Sequence, residues 1–268
     1  MELKFTKMHG IGNDYIYINC PTGAPENPEA LAVQLSDRHR SVGGNGLVLI
    51  LPSEVADFRM RMFNSDGSEG AMCGNAIRCV GKYVYDNKMT DKTELTIETA
   101  SGIKKLVLHM QDDKVALITV DMGAPVIAQQ ELCLRVGKTE YKGLSISMGN
   151  PHFVTFCTDV SHQPVTTDGP FIEHMSCFPD RTNVEFAEVM GDHIRMRVWE
   201  RGSGETQACG TGACAVAVAA VQNGFFPKGR DIAVHLPGGV LTVNFDGDSV
   251  YMTGPAETVF VGMIEISE

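Results

Sequence analysis

The chain has 268 residues, enough for two modest domains, and its 43% of hydrophobic residues supply the core of a folded globular protein. A formal net charge of −11, without a run of Lys and Arg, excludes a general binder of nucleic-acid backbones. The N-terminal stretch MELKFTKMHG lacks the apolar core of a signal peptide, and the longest apolar stretch, residues 213–221, is too short to span a bilayer. We therefore expect a cytoplasmic protein with no nucleic-acid or membrane partner.

Strands dominate the predicted secondary structure, because apolar and polar residues alternate with period two through most of the chain. Clear examples are residues 94–98, 105–108, 114–120 and 231–245. Helices are predicted at 28–39, 75–86, 170–176 and 212–222, the third with Asp168 as its N-cap. The last helix is mostly Ala and Val on every face, which is typical of a helix buried inside its domain.

The two halves of the chain repeat one pattern. Arg59, Glu69 and Cys73 recur as Arg195, Glu205 and Cys209, and each second member follows the first by 136 residues. Glycine- or asparagine-marked turns also recur in the same order: Gly12-Asn13 with Gly149-Asn150, and Asn45 with Asn183. This constant offset, close to half of the chain, indicates an internal duplication.

The duplication predicts an α+β fold of two pseudo-symmetric domains, each a mostly antiparallel, barrel-like sheet around a central helix, with the active site in the cleft between them. We place the N-terminal domain at residues 1–118 and the C-terminal domain at 119–261, with the boundary near the loop residues 123–125.

Cys73 and Cys209 each precede a predicted helix and are followed by glycine. Unpaired backbone N–H groups and the helix dipole stabilise a negative charge there, so the pKa of both thiols is expected to fall. The same N–H groups bind a carboxylate, and Gly74 and Gly210 let a ligand approach the backbone closely.

Two thiols on opposite sides of a bound ligand suit inversion of a stereocentre. One thiolate removes the proton from an α-carbon and the other thiol donates a proton to the opposite face, whereas a single base would return the proton to the face that it left. The natural target is an amino acid whose carboxylate is held by the helix ends.

Five long segments match a known family in order and spacing. MHGIGNDY, FNSDGSEGAMCGNAIRC, GNPHFV, RTNVEF and WERGSGETQACGTGACA resemble the signature segments of the diaminopimelate epimerase family, and the resemblance covers the whole chain. It implies an enzyme of lysine and cell-wall biosynthesis that needs neither cofactor nor metal and interconverts LL- and meso-diaminopimelate. It also implies a homodimer of two-domain subunits, with residues 262–268 returning to the first domain.

The resemblance assigns a role to each candidate site residue. Cys73 and Cys209 are the catalytic acid and base, and His152 and Glu200 tune the thiols. Phe260 is implied as a dimer contact. Residue Asn45 departs from the family, since relatives commonly carry Asp there. The substrate-binding residues implied by the resemblance are Asn13, Asn64, Gly74, Asn75, Asn150, Asn183, Glu200, Arg201, Gly210 and Thr211.

The residues alone leave three other functions open. A cofactor-independent racemase of proline, glutamate or histidine would use the same scaffold, although Glu200 and Arg201 favour a substrate with a second charged amino-acid head. A thiol- or metal-binding protein is disfavoured because no CxxC pair occurs. A pyridoxal-phosphate racemase is disfavoured because no lysine lies in a glycine-rich anion-binding segment.

Overall fold

The structure is a computed structural model that describes residues 2–266. Ser267 and Glu268, which belong to the predicted returning segment, lie outside the described residues. The four helices of the described chain are α1 (Pro28–Ser36), α2 (Gly74–Asp86), α3 (Val165–Glu173) and α4 (Gly210–Gln222). Its nineteen strands are β1 (Glu2–Gly10), β2 (Asn13–Asn19), β3 (Gly46–Leu51), β4 (Phe58–Asn64), β5 (Glu69–Gly70), β6 (Glu94–Thr99), β7 (Gly102–Gln111), β8 (Lys114–Gly123), β9 (Val126–Ile127), β10 (Leu132–Val136), β11 (Thr139–Ser147), β12 (Pro151–Phe156), β13 (Asn183–Val189), β14 (His193–Glu200), β15 (Gly204–Glu205), β16 (Asp231–Leu236), β17 (Gly239–Phe245), β18 (Val250–Gly254) and β19 (Glu257–Glu265).

The described chain divides into two compact units, residues 2–120 with 254–266, and residues 121–253. The division falls inside β8, between Val120 and Asp121, close to the predicted boundary near residues 123–125. The chain re-enters the first unit earlier than residue 262, because β19 pairs antiparallel with β1 from Glu257 onwards.

The first unit is built on strand pairs that enclose a helix. β1 pairs antiparallel with β2, β2 runs parallel to β3, and β4 runs parallel to β6. A parallel pair needs a crossover connection, and here α1 links β2 to β3 while α2 follows β5 on the way from β4 to β6. Helix α1 packs on β3 and β4, and α2 packs on β1, β2 and β7.

The second unit repeats this order of elements. β12 runs parallel to β13 through α3, and β14 runs parallel to β16 through α4. Helix α4 packs on β11, β12, β13, β16 and β17, and its residues 212–220 are all buried. The predicted α+β fold, with strands packed around a helix in each half, is confirmed.

The third helix was predicted wrongly at 170–176. It spans Val165–Glu173, because the carbonyl of Pro164 accepts the backbone N–H groups of Thr167 and Asp168 and so begins the helix earlier. Asp168 is therefore a residue of the first turn and not the N-cap. Its carboxylate accepts the Tyr141 hydroxyl at 2.5 Å, a contact with β11 that a local sequence rule does not include.

The first helix also ends sooner than predicted, at Ser36 and not at residue 39. Asp37 adopts an extended backbone, and its carboxylate accepts the N–H groups of His39 and Arg40. A side chain that binds its own downstream backbone in this way competes with continuation of the helix.

Candidate active site

Cys73 is the N-cap of α2, with φ −133° and ψ 121°. The Nδ2 atom of Asn13 lies 3.8 Å from its sulfur. The helix behind it is braced by Arg78, whose fully buried guanidinium donates to the carbonyl of Gly74 at 3.1 Å. No role was predicted for Arg78, although a charged residue on a buried helix face indicates such a structural bond.

Asn13 is placed by a turn that requires glycine. Gly12 precedes it with φ +87°, a left-handed conformation that other residues rarely adopt, and Gly149 has φ +96° before Asn150 in the second unit. The Oδ1 atom of Asn13 accepts from Asn45 Nδ2 at 2.9 Å.

The other candidate residues of the first unit lie at two places. Gly74 and Asn75 are buried in the first turn of α2, directly after Cys73. Asn64 ends β4, where its Nδ2 atom donates to Ser68 Oγ at 2.9 Å.

Cys209 is the N-cap of α4, with φ −120° and ψ 107°. Its sulfur accepts the backbone N–H of Gly212 at 3.4 Å and lies 3.6 Å from Thr211 Oγ1. Cys209 is 5% exposed, whereas Cys73 is partly exposed. Two cysteines at matching helix starts therefore have different surroundings.

The pKa of Cys209 does not fall as predicted. Burial raises it well above its ordinary value, and the carboxylates of Glu200 and Glu185 raise it further. The Thr211 hydroxyl and the Gly212 N–H lower the pKa, but they do not outweigh burial next to two negative charges. In this surrounding Cys209 rests as a thiol at neutral pH.

Glu200, at the end of β14, accepts a hydrogen bond from the Cys209 thiol. Burial raises the pKa of its carboxyl, and hydrogen bonds from Thr206 and Cys209 favour the charged form. A carboxylate that receives the hydrogen bond of a thiol is also placed to accept its proton.

His152 and Glu185 form a fully buried pair on the parallel strands β12 and β13, with 2.6 Å between Nδ1 and Oε1. On its other side, His152 Nε2 lies 3.1 Å from Asn150 Oδ1, and Asn150 Nδ2 donates to Thr211 Oγ1 at 3.3 Å. A continuous row of polar contacts thus leads from Glu185 to the neighbour of Cys209.

Glu185 was not among the predicted site residues, although it lies inside the segment RTNVEF. Glu185 lies within β13, whose first five residues are all buried. A buried carboxylate requires a polar partner, so an acid in this strand indicated a site residue. Burial raises the pKa of Glu185, and His152 opposes that rise without overcoming it.

Asn183 lies opposite His152 on the paired strands β12 and β13, and it is hydrogen-bonded to Arg201. Asn183 donates to the carbonyl of Pro151 at 2.8 Å and accepts the backbone N–H of Arg201 at 2.9 Å. The exposed guanidinium of Arg201 donates to the carbonyl of Asp180 at 2.8 Å. Gly210 begins α4 beside Thr211.

Phe260 lies on β19, far along the chain from both cysteines. Its ring is 45% exposed and meets Phe5 edge to face, with 5.9 Å between the ring centroids. Val259, Val261 and Met263 on the same strand are also exposed, at 55%, 58% and 70%.

Three general features bear on the site. No disulfide joins any of the cysteines in the described chain. Across residues 2–266, no three His, Cys, Asp or Glu side chains are grouped to hold a metal ion. No helix of the described part has the length and apolar character needed to cross a membrane.

The chain matches the family model described as diaminopimelate epimerase over residues 5–128 and 144–259. It is 52% identical over 279 aligned residues to the diaminopimelate epimerase of Methanococcus maripaludis strain C6, covering 98% of this chain and 100% of that protein. It is 51% identical over 281 aligned residues to the diaminopimelate epimerase of Acetivibrio thermocellus, covering 99% and 100%.

Solved structures share the fold at low sequence identity. A PhzF-family phenazine biosynthesis protein of Bacillus anthracis superposes with a TM-score of 0.80 at 18% identity, covering 99% of this chain and 100% of that one. A hydroxyproline epimerase of Agrobacterium vitis gives 0.75 at 17% identity, covering 98% and 92%. With the family match across both halves and the two cysteines at matching helix starts, the chain belongs to the diaminopimelate epimerase family.

Proposed function

We propose that the protein interconverts LL- and meso-diaminopimelate without a cofactor, as a step in the biosynthesis of lysine and peptidoglycan precursors. The observation that carries this proposal is the pair of cysteines at the N-caps of α2 and α4, in a chain that belongs to this family. Helices of thirteen residues follow both cysteines, so each thiol meets the same kind of anion-binding backbone.

In the proposed reaction the thiolate of one cysteine takes the proton from the α-carbon. The carbanion that forms is stabilised through its carboxylate, which accepts backbone N–H groups at Gly74, Asn75, Gly210 and Thr211. The thiol of the other cysteine then donates its proton to the opposite face of the carbon. One C–H bond breaks and one forms, and the two cysteines exchange their protonation states.

Cys209 is the proton donor of the resting protein in this scheme, since burial and two carboxylates hold its pKa high. In the reverse direction Cys209 needs a group that accepts its proton, and Glu200 is hydrogen-bonded to it. His152 acts at one remove, because Asn150 connects its imidazole to Thr211 beside the sulfur.

The remaining polar residues are assigned to two parts of the substrate, its second amino-acid head and its reacting centre. Asn64, Asn183 and Arg201 supply amides and a cation for its carboxylate, and Asn13 and Asn150 reach towards the reacting centre. Arg201 supports this role because its guanidinium is exposed, while its backbone is fixed through Asn183.

A second copy of the chain is the partner that we propose for β19. The exposed Val259, Phe260, Val261 and Met263 make β19 an apolar strand that the same strand of a second copy would cover. We also propose a cytoplasmic location, where a reducing environment keeps the catalytic cysteines as thiols.

Exchange of α-protons in deuterated water tests the substrate. The protein is incubated separately with diaminopimelate, proline, glutamate and histidine, and incorporation of deuterium at the α-carbon is followed by mass spectrometry. We expect label in diaminopimelate. Label in one of the other three amino acids, with none in diaminopimelate, would show that the substrate assignment is wrong.

Cys73→Ala and Cys209→Ala test the two-base step. Each variant removes the group that serves one face of the α-carbon, so each should lose epimerisation by at least about 10²-fold. Cys133→Ala, which removes an exposed thiol from β10, is the control and should keep the parental rate. Near-parental inversion by either of the first two variants would contradict the mechanism.

A further inference from the structure

A short row of polar side chains in the first unit leads from Arg38 to the sulfur of Cys73. Arg38 donates to Asn45 Oδ1 at 2.9 Å, and Asn45 Nδ2 donates to Asn13 Oδ1 at 2.9 Å. Asn13 Nδ2 then faces Cys73 Sγ at 3.8 Å. The row is made by the loop after α1 and the first residue of β2, which come together at the start of α2.

The direction of every hydrogen bond in this row is fixed at its Arg38 end. A guanidinium has donors and no acceptor, so Asn45 must turn its oxygen towards Arg38 and its NH₂ group towards Asn13. Asn13 must then turn its oxygen towards Asn45, and its own NH₂ group is left facing the sulfur. An amide at each position transmits the donor direction because oxygen and nitrogen lie at opposite ends of the group.

Arg38 is itself held in place. Its NH1 and NH2 atoms lie 3.2 and 2.7 Å from the two carboxylate oxygens of Asp14, and Lys7 Nζ lies 2.6 Å from Asp14 Oδ2. A bidentate pair fixes the guanidinium plane as well as its position. The start of the row is therefore anchored on β1 and on the residue that follows Asn13.

We propose that Asn45 is a positioning residue, which holds the NH₂ group of Asn13 towards Cys73 so that the sulfur faces a hydrogen-bond donor. A donor stabilises the thiolate relative to the thiol. The orientation of Asn13 does not depend on the proposed function. Its contribution to proton abstraction by Cys73 rests on the proposed function.

The second unit has no copy of this arrangement among the described contacts. Asn183, the repeat of Asn45, bonds to the backbone of Pro151 and Arg201 and does not orient an amide towards Cys209. Cys209 instead lies next to the carboxylate of Glu200. The duplicated thiols thus have opposite surroundings, a donor amide at Cys73 and a proton acceptor at Cys209, which suits one resting base and one resting acid.

The test is Asn45→Asp. An aspartate accepts hydrogen bonds from both Arg38 and Asn13, so the Asn13 amide should turn and present its oxygen to Cys73. The rate of alkylation of Cys73 by iodoacetamide is measured against pH on the full chain, with the modified peptide quantified by mass spectrometry. We expect the rate at pH 7 to fall about three- to tenfold, the loss of one donor to the thiolate, and the pH midpoint to rise.

Two companion variants separate orientation from charge. Asn19→Asp adds the same charge at the exposed end of the same strand β2 and should leave alkylation of Cys73 unchanged. Asn45→Asp is then repeated in an Asn13→Ala background, where no amide remains to be turned and the second substitution should have no further effect. An equal fall in rate with and without Asn13 would mean that the charge acts directly, and would overturn the proposal.

Asn45→Ala covers the case in which the aspartate variant does not fold. It removes the donor to Asn13 without adding a charge, so alkylation of Cys73 should be slower than in the parent. A rate equal to that of the parent would also overturn the proposal. Because alkylation needs no turnover, failure of the protein to act on diaminopimelate would contradict the proposed function and leave this result standing.

Discussion

Glu200→Gln is expected to change the reactivity of Cys209 and the catalytic rate in opposite directions. The substitution keeps the size of the side chain and a hydrogen-bonding group, but it removes one of the two carboxylates that raise the pKa of Cys209. It also removes the group that accepts the proton of this thiol. Cys209 should become easier to ionise and less useful for catalysis.

The size of the effect follows from the interaction of two charges at hydrogen-bonding range. At about 4 Å and an effective dielectric constant of about 20, that interaction is about 4 kcal/mol. Since about 1.4 kcal/mol corresponds to a tenfold change in an ionisation constant, the loss of this carboxylate should lower the pKa of Cys209. The thiolate fraction at neutral pH should then rise by about 10- to 10³-fold.

The assay pairs two measurements on the same samples. Alkylation of Cys209 by iodoacetamide at pH 7 should become at least about tenfold faster, while epimerisation of diaminopimelate should become at least about 10²-fold slower, the usual contribution of a general acid or base. Glu131→Gln removes an exposed carboxylate from the same unit and should change neither rate. Slower alkylation of Cys209, or unchanged epimerisation, would refute the reasoning.

Three further outcomes are expected. Because burial raises the pKa of Glu200, the folded protein holds the proton of this carboxyl more tightly than the unfolded chain, and stability falls as pH rises from the ordinary carboxyl pKa through the raised one. The unfolding free energy of Glu200→Gln should therefore increase relative to that of the parent between pH 4 and 7. A difference in unfolding free energy that stays constant with pH in urea titrations would contradict this. Gly212→Ala places a methyl group 2.8 Å from Glu185 Oε1 and 3.2 Å from Cys209 Sγ, so the rate of epimerisation should fall at least about tenfold. Steady-state kinetics measures the rate, and circular dichroism checks that the variant is folded. Asp168→Asn turns the hydrogen bond from Tyr141 into a neutral one and should cost about 1 to 2 kcal/mol of unfolding free energy without slowing epimerisation. A variant that loses both stability and epimerisation rate would place Tyr141 and Asp168 in the active site.

The helix starts were predictable because they are local. A glycine after Cys73 and after Cys209, followed by residues that favour a helix, defines an N-terminus within a few positions, and the structure begins α2 and α4 directly after the two thiols. The duplication was visible for the same reason, since it preserves spacings along the chain. The third helix was misplaced because it begins at the Pro164 carbonyl, so Asp168 lies in its first turn and accepts the Tyr141 hydroxyl of β11 instead of capping the helix.

The electrostatic character of each thiol was not predictable from its neighbours in sequence. Both cysteines have the same helix position, and the sequence indicated a lowered pKa for both. Cys209 differs because Glu185 and Glu200 approach it from β13 and β14, and because complete burial magnifies their effect. The contacts of Asn45 and Arg78 likewise join residues that only folding brings together.

The amino-acid sequence alone predicts two thiols at equivalent helix starts in a duplicated α+β chain of this family. Local hydrogen bonding and the period of the apolar residues are written along the chain, and they suffice for that conclusion. The difference between the two thiols arises only on folding, because the energy of a charge depends on its burial and on its distance from groups that lie far away in sequence. The first thiol faces an oriented amide and the second faces a carboxylate.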